Sequence, residues 1–283
     1  MHPRRKLPGA ADPPAWLDEL HLEPGPPWLA MGTRSLDDGL FVVDRDYERD
    51  VALKSVLLDE RPAEVFAALD TAEVRAASEE ILALTRAVTN RSSLHPLDAA
   101  GRSVQEDLCV LVLRDGVPHL DAASLCFPSY WRLADKIGRP LTEVHDPVPH
   151  YPEELAAKVN GFLSRLAPRR MVWRRNWSIH DVPTYFLPEA TPTRDVDAPD
   201  GLYLRSERQV LRRLETTDAV LFTIRTQQVP LAAVAARADV AGRMAASIAG
   251  WSPELADYKG GHGALAAQDW LASIGEHFDA RRT

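Results

Sequence analysis

The stretch DLCVLVLRDGVPHLDAASLCF, Asp107 to Phe127, decides the fold class. Asp107–Leu113 and His119–Phe127 are β-prone runs, and the turn formers Arg114, Asp115, Gly116, Val117 and Pro118 separate them, so a hairpin is the simplest arrangement. Downstream, helical patterns cover Tyr130–Ile137 and Glu153–Leu166, and strand patterns return at Met171–Ile179, Leu202–Ser206 and Ala219–Thr226. Upstream, Asp46 to Leu84 has helical spacing at Val51, Leu53, Val56, Leu57, Val65, Phe66 and Leu69, interrupted by Pro62, with a second helix from Thr71 toward Val88. After Pro230, LAAVAARADVAGRMAASIAG reads as an alanine-rich helix and Leu265–Phe278 as an amphipathic one. The class is therefore α+β: an antiparallel sheet with a helical excursion, plus N- and C-terminal helical additions.

Composition excludes several functions. With 41 acidic against 33 basic residues and a net charge of -8, the chain is not a general nucleic-acid binder, although Arg169, Arg170, Arg174 and Arg175 cluster locally. Two cysteines, Cys109 and Cys126, make neither a disulfide framework nor a four-cysteine metal site. The N-terminal MHPRRKLPGAADPP lacks the apolar run of a signal peptide and no window suggests a membrane span, so a cytoplasmic protein with no membrane partner is expected. The 22 prolines concentrate before Trp28, around His145 and from Pro183 to Pro199, which suggests an extended arm, a stiff loop and a surface excursion.

The densest chemistry lies in SLCFPSYWRLADKIGRPLTEVHDPVPHY, Ser124 to Tyr151. Pro140, Pro147, Pro149 and Pro152 stiffen the backbone around His145 and His150, which suits a ligand but equally suits a turn. Along Met171–Ile179, alternation puts Arg174, Asn176 and Ser178 on one face and Trp173, Arg175, Trp177 and Ile179 on the other. The polar face lines a site or meets solvent. Thr223, Arg225 and Gln227 share a face in the same way. In LRSERQVLRRL, Glu207 stands between Arg205 and Arg208, as a carboxylate for a cationic substrate or as part of a charged surface. No glycine-rich dinucleotide fingerprint and no nucleophile elbow is present.

VQEDLCVL (Val104–Leu111), VHDPVP around His145, RRNWSI (Arg174–Ile179), LRSERQVLRRL (Leu204–Leu214), AVLFTIRT (Ala219–Thr226) and DYKGG (Asp257–Gly261) occur in one order. Together they resemble the alpha subunit of haem-dependent oxidative N-demethylase, over about Trp28 to Tyr258. The resemblance implies a PAS-like haem-binding core over residues 101–230, behind an arm (1–27) and a helical cap (28–100) and before C-terminal helices (231–283). It implies b-type haem, held noncovalently because no Cys-x-x-Cys-His motif exists. His145 is the expected iron ligand, with His150 and Cys126 as rivals. Arg205, Arg208, Arg225, Lys136 and Arg139 are expected around the cofactor, and Glu207, Asn176 and Arg174 in catalysis, with Arg174 and Asn176 either polarising bound oxygen or pairing with a haem propionate. Expected partners are a small methylated amine such as dimethylamine, O2, and electron-transfer subunits carrying flavin and iron-sulfur centres. A haem-binding sensor without turnover and a haem-free scaffold subunit are the alternatives.

Overall fold

The computed structural model describes residues 13–22, 31–86, 94–189 and 198–279. The hairpin is tighter than expected. Strands β3 (Asp107–Arg114) and β4 (Val117–Ser124) leave Asp115 and Gly116 as the whole turn, with φ of 51° and 79°. Two consecutive left-handed residues match the twist of the flanking strands, and Asp-Gly is a favoured pair for such a turn.

The sheet has seven strands, all antiparallel, in the order β1-β5-β6-β7-β3-β4-β2. Its long members are the hairpin and the expected return strands β5 (Met171–His180), β6 (Tyr203–Arg213) and β7 (Val220–Pro230). The last two run well past their expected ends at Ser206 and Thr226. The dense arginines of β6 resemble a charged surface, yet Arg208 is in register with Arg175 on one side and Arg225 on the other. Short strands β1 (Arg34–Leu36) and β2 (Phe66–Ala68) close the two edges and were hidden in the sequence by their length.

Helix α1 (Tyr47–Glu60) stops at Pro62, the first residue of the single turn α2 (Pro62–Val65). Helix α3 (Ala72–Thr85) is capped by Thr71, whose Oγ1 accepts from the Val74 amide at 3.2 Å. It ends before Val88, which lies outside the described residues. The helix expected over Tyr130–Ile137 is only a 3-10 turn at Leu133–Asp135, between Pro128 and the left-handed Gly138. Helices α4 (Pro96–Gly101), α5 (Leu141–Val144) and α6 (Ala157–Arg165) follow, α6 entered through a π-helical turn at Pro152–Ala156. The alanine-rich segment divides into a 3-10 stretch, Leu231–Ala236, and α7 (Ala238–Ala249), followed by α8 (Pro253–Lys259) and α9 (Gly261–Asp279).

One sheet face faces the α5–α6 excursion, through Cys109, Leu111, Leu120 and Ile224. The other is covered at one end by α3 and α4, against Leu108, Val110 and Val210. At its far end α7 and α9 pack on Trp177, Ile179 and Leu204. A Cβ on Gly275 of α9 would lie 2.9 Å from the Gly242 Cα of α7, so only glycine allows this approach. The expected arm falls partly outside the described residues. Its described part buries Trp16, Leu17, Leu20 and Leu22 in the same cluster. The expected excursion is described only outside residues 190–197.

Candidate functional site: a cavity between the sheet and the helical excursion

A cavity of about 670 Å³ separates the sheet from α5, the π-helical turn and α6. That size lies within the range of sites for cofactors and small ligands. Leu111, Leu120, Leu211, Phe222 and Ile224 line it from the sheet, and Leu141, Val144, Leu155, Val159 and Leu163 from the helices. These apolar walls solvate charge poorly, so electrostatic interactions of the polar groups among them are stronger than in open water.

His145 stands in the helical wall, immediately after the single turn α5. Its Nδ1 lies 2.8 Å from the Leu141 carbonyl oxygen. A carbonyl only accepts, so Nδ1 carries the proton and Nε2 keeps its lone pair. Nε2 has no hydrogen-bond partner among the described residues. Tyr151 stacks on the ring at 4.4 Å between centroids and 11° between planes, which fixes the ring's tilt. Burial lowers the imidazole to about 4, helped by the Arg174 and Lys136 charges, so it is a neutral donor at physiological pH. Among the described residues no group of three or more His, Cys, Asp or Glu is placed to hold a metal ion. A macrocycle that brings its own four donors is the kind of metal group a lone imidazole serves.

The facing wall is polar. Asn176 and Glu207 are cross-strand partners, and so are Arg174 and Gln209. Arg174 Nε donates to Gln209 Oε1 at 2.7 Å, and Gln209 Nε2 donates to Glu207 Oε2 at 2.9 Å, which orients the carboxylate. Lys259 Nζ donates to Asn176 Oδ1 at 3.3 Å. Beyond them His180, 2% exposed, has Nε2 2.8 Å from Ser178 Oγ and is stacked on Tyr130. Burial, with Arg205 nearby, lowers His180 to about 3.

Of the expected site residues, His145, Arg174, Asn176 and Glu207 line this cavity, and Arg205, Arg208, Arg225, Lys136 and Arg139 do not. The Arg205 guanidinium is engaged by the carbonyls of Phe127, Pro128 and Tyr185, at 2.7, 3.2 and 3.1 Å, and ties two loops to β6. Arg208 and Arg225 belong to the opposite face, where Arg208 donates to the Gly39 carbonyl and Arg225 pairs with Asp44 and Asp50. Lys136 and Arg139 engage Glu143 outside the cavity. His150 is exposed, with φ of 61°, and does not line the cavity. Cys126 is buried, and burial beside Asp107 pushes its thiol up to about 12, so it is no thiolate. Sequence reasoning missed His180, Gln209, Tyr151 and Lys259. The first two were accessible, because each continues by two the alternation that singled out Ser178 and Glu207.

A family model described as haem-dependent oxidative N-demethylase, alpha subunit-like matches residues 82–266. This is well over half of the chain. The chain belongs to that family. The N-demethylase match begins within α3, spans all five long strands and the cavity walls they make, and ends inside α9, so it includes His145, Glu207 and Lys259. No helix among the described residues is long and apolar enough to cross a membrane.

Proposed function

We propose that this chain binds b-type haem in the cavity through His145 and oxidises a small methylated amine, such as dimethylamine, with O2. The observation that carries the reading is the preset tautomer of His145. Its Nδ1 is committed to the Leu141 carbonyl, which leaves Nε2 as a neutral donor in an apolar cavity of sufficient size. The five long strands, in the order β4-β3-β7-β6-β5 with the excursion between β4 and β5, support a PAS-like core.

The haem, when bound, supplies oxygen activation. The chain supplies position and polarity. Glu207, held by Gln209, is the carboxylate for the substrate ammonium, and Asn176 beside it offers an amide for orientation. Arg174 projects positive charge into the same wall. Leu111, Phe222 and Ile224 keep water from the reacting atoms. Electrons come from partner subunits with flavin and iron-sulfur centres, consistent with the alpha-subunit character of the family. Both cysteines of this chain are buried and held as thiols.

The test is to titrate the protein with hemin, add dimethylamine, and measure the absorption spectrum and formaldehyde released with supplied reductant. A Soret band that shifts on amine addition, together with formaldehyde, is expected. An amine-induced shift without formaldehyde makes the protein a sensor, and no hemin uptake refutes the haem reading.

A further inference from the structure

Two cations of the cavity wall, Arg174 and Lys259, reach no carboxylate at ion-pair distance among the described residues. Arg174 donates to the Gln209 side-chain oxygen at 2.7 Å and to the Met31 carbonyl at 3.4 Å. Lys259 donates to Asn176 Oδ1 at 3.3 Å and to the Trp177 carbonyl at 3.2 Å, and lies 5.5 and 5.3 Å from the ring centroids of Trp177 and Trp251. All these partners are neutral, and Glu207 acts on both cations only from farther away. On the opposite sheet face Arg175 has Glu19 at 2.6 Å, and Arg225 has Asp44 at 2.8 Å and Asp50 at 3.0 Å, while Arg208 between them donates to the Gly39 carbonyl. Both side chains are half-buried in the cavity wall, where a cation without a counter-ion is costly, so the two together leave that wall short of negative charge.

The placement of Lys259 is built into the fold. Strand β1 covers β5 only at Met171–Trp173, so the rest of that edge is open to the α8–α9 junction. Gly260, with φ of 152°, sits where a Cβ would lie 2.7 Å from the Ile179 carbonyl oxygen. Only glycine allows α8 to end this close to β5, and the preceding Lys259 thereby reaches the Trp177 carbonyl and the cavity.

We propose that Arg174 and Lys259 form a clamp for the carboxylates of the cavity's ligand, which on the haem reading above are the porphyrin propionates. The guanidinium offers a fork of donors and the ammonium a compact charge, and the two indoles keep water away from the second. Burial and the neighbouring Arg174 lower Lys259 to about 8, the direction expected of a cation awaiting its anion.

The test compares hemin with its propionate dimethyl ester, titrated into apoprotein and followed by Soret absorbance and by quenching of the nearby tryptophans. The wild-type chain should bind hemin about tenfold or more tighter than the ester, from the charged hydrogen bonds alone. Lys259→Met should reduce that preference to within about threefold while leaving ester affinity unchanged, and Lys259→Arg should keep most of it. Lys259→Gln gives the same comparison if the methionine variant does not fold. An undiminished preference in the methionine or glutamine variant, or no preference in the wild-type chain, overturns the clamp. If neither porphyrin binds the wild-type chain, the haem reading itself fails, and the clamp with it.

Discussion

Arg174 and Arg175 are neighbours in sequence and opposites in the structure. Arg175 points to the face covered by the N-terminal layer, 6% exposed, and its guanidinium meets Glu19, Ser206 and Gln227. It stands in a row with Arg208 and Arg225 across three strands, and together they fasten Glu19, Gly39, Asp44 and Asp50 to the sheet. Arg174 and the other charged groups of the cavity face touch mostly neutral partners. The same residue type thus serves as a rivet on one face and as an unused charge on the other, and the strand's period of two decides which.

This difference is broken most severely from the riveted side. Arg225→Met removes the buried partner of Asp44 and Asp50, and should lower stability by about 3 kcal/mol in urea unfolding of the apoprotein. Arg174→Met, which abandons no carboxylate at ion-pair distance, should cost less than about 1 kcal/mol in the same assay. Equal losses in the two variants would dissolve the distinction between the faces.

Glu207→Gln sharpens it from the cavity side. The amide keeps the shape and loses the charge, so amine affinity read from the haem spectrum should fall by about tenfold or more. Hemin retention should not change. Equal amine affinity and equal formaldehyde release would return Glu207 to a structural ion pair with Arg205, 3.9 Å away.

A smaller effect concerns pH. His145 is lowered from its ordinary 6.5 to about 4 in the folded chain, so between those values the unfolded chain binds a proton that the folded chain does not. Stability from this group is therefore complete above about pH 6.5 and declines as pH falls toward 4, with a slope of at most about 1.4 kcal/mol per pH unit. Buried Glu106 and Asp107, raised by desolvation, contribute with the opposite sign from their ordinary carboxylate values upward. The informative quantity is thus the difference between wild-type and His145→Gln apoprotein in urea midpoints from pH 7 to pH 4.5. The variant should show the shallower acid decline, and identical profiles would show that the ring is not held neutral.

The long strands, the hairpin and the polar face of β5 were legible because period-two alternation and Asp-Gly turn chemistry are local signals. The excess length of β6 was not, since its arginines are engaged by residues far along the chain, such as the Phe127 carbonyl for Arg205 and the Gly39 carbonyl for Arg208. The same blindness made Arg205, Arg208 and Arg225 look like cofactor contacts. Their charge was visible in the sequence, and the carbonyls and carboxylates that absorb it were not. Lys259 stayed unassigned because its role depends on how closely α8 approaches β5. The DYKGG block marks that approach only once the Gly260 backbone is seen against Ile179.

Whether His145 holds a haem on the cavity side of the sheet can be read from hemin titration of four proteins: the wild-type chain, His145→Ala, His150→Ala and Cys126→Ser. Absorption and resonance Raman spectra would report the axial ligand. His145→Ala alone should lose the histidine-ligand signature and most of its hemin affinity, while the other two variants keep the wild-type spectrum. Loss of the signature on Cys126→Ser or His150→Ala, with His145→Ala unaffected, would contradict it.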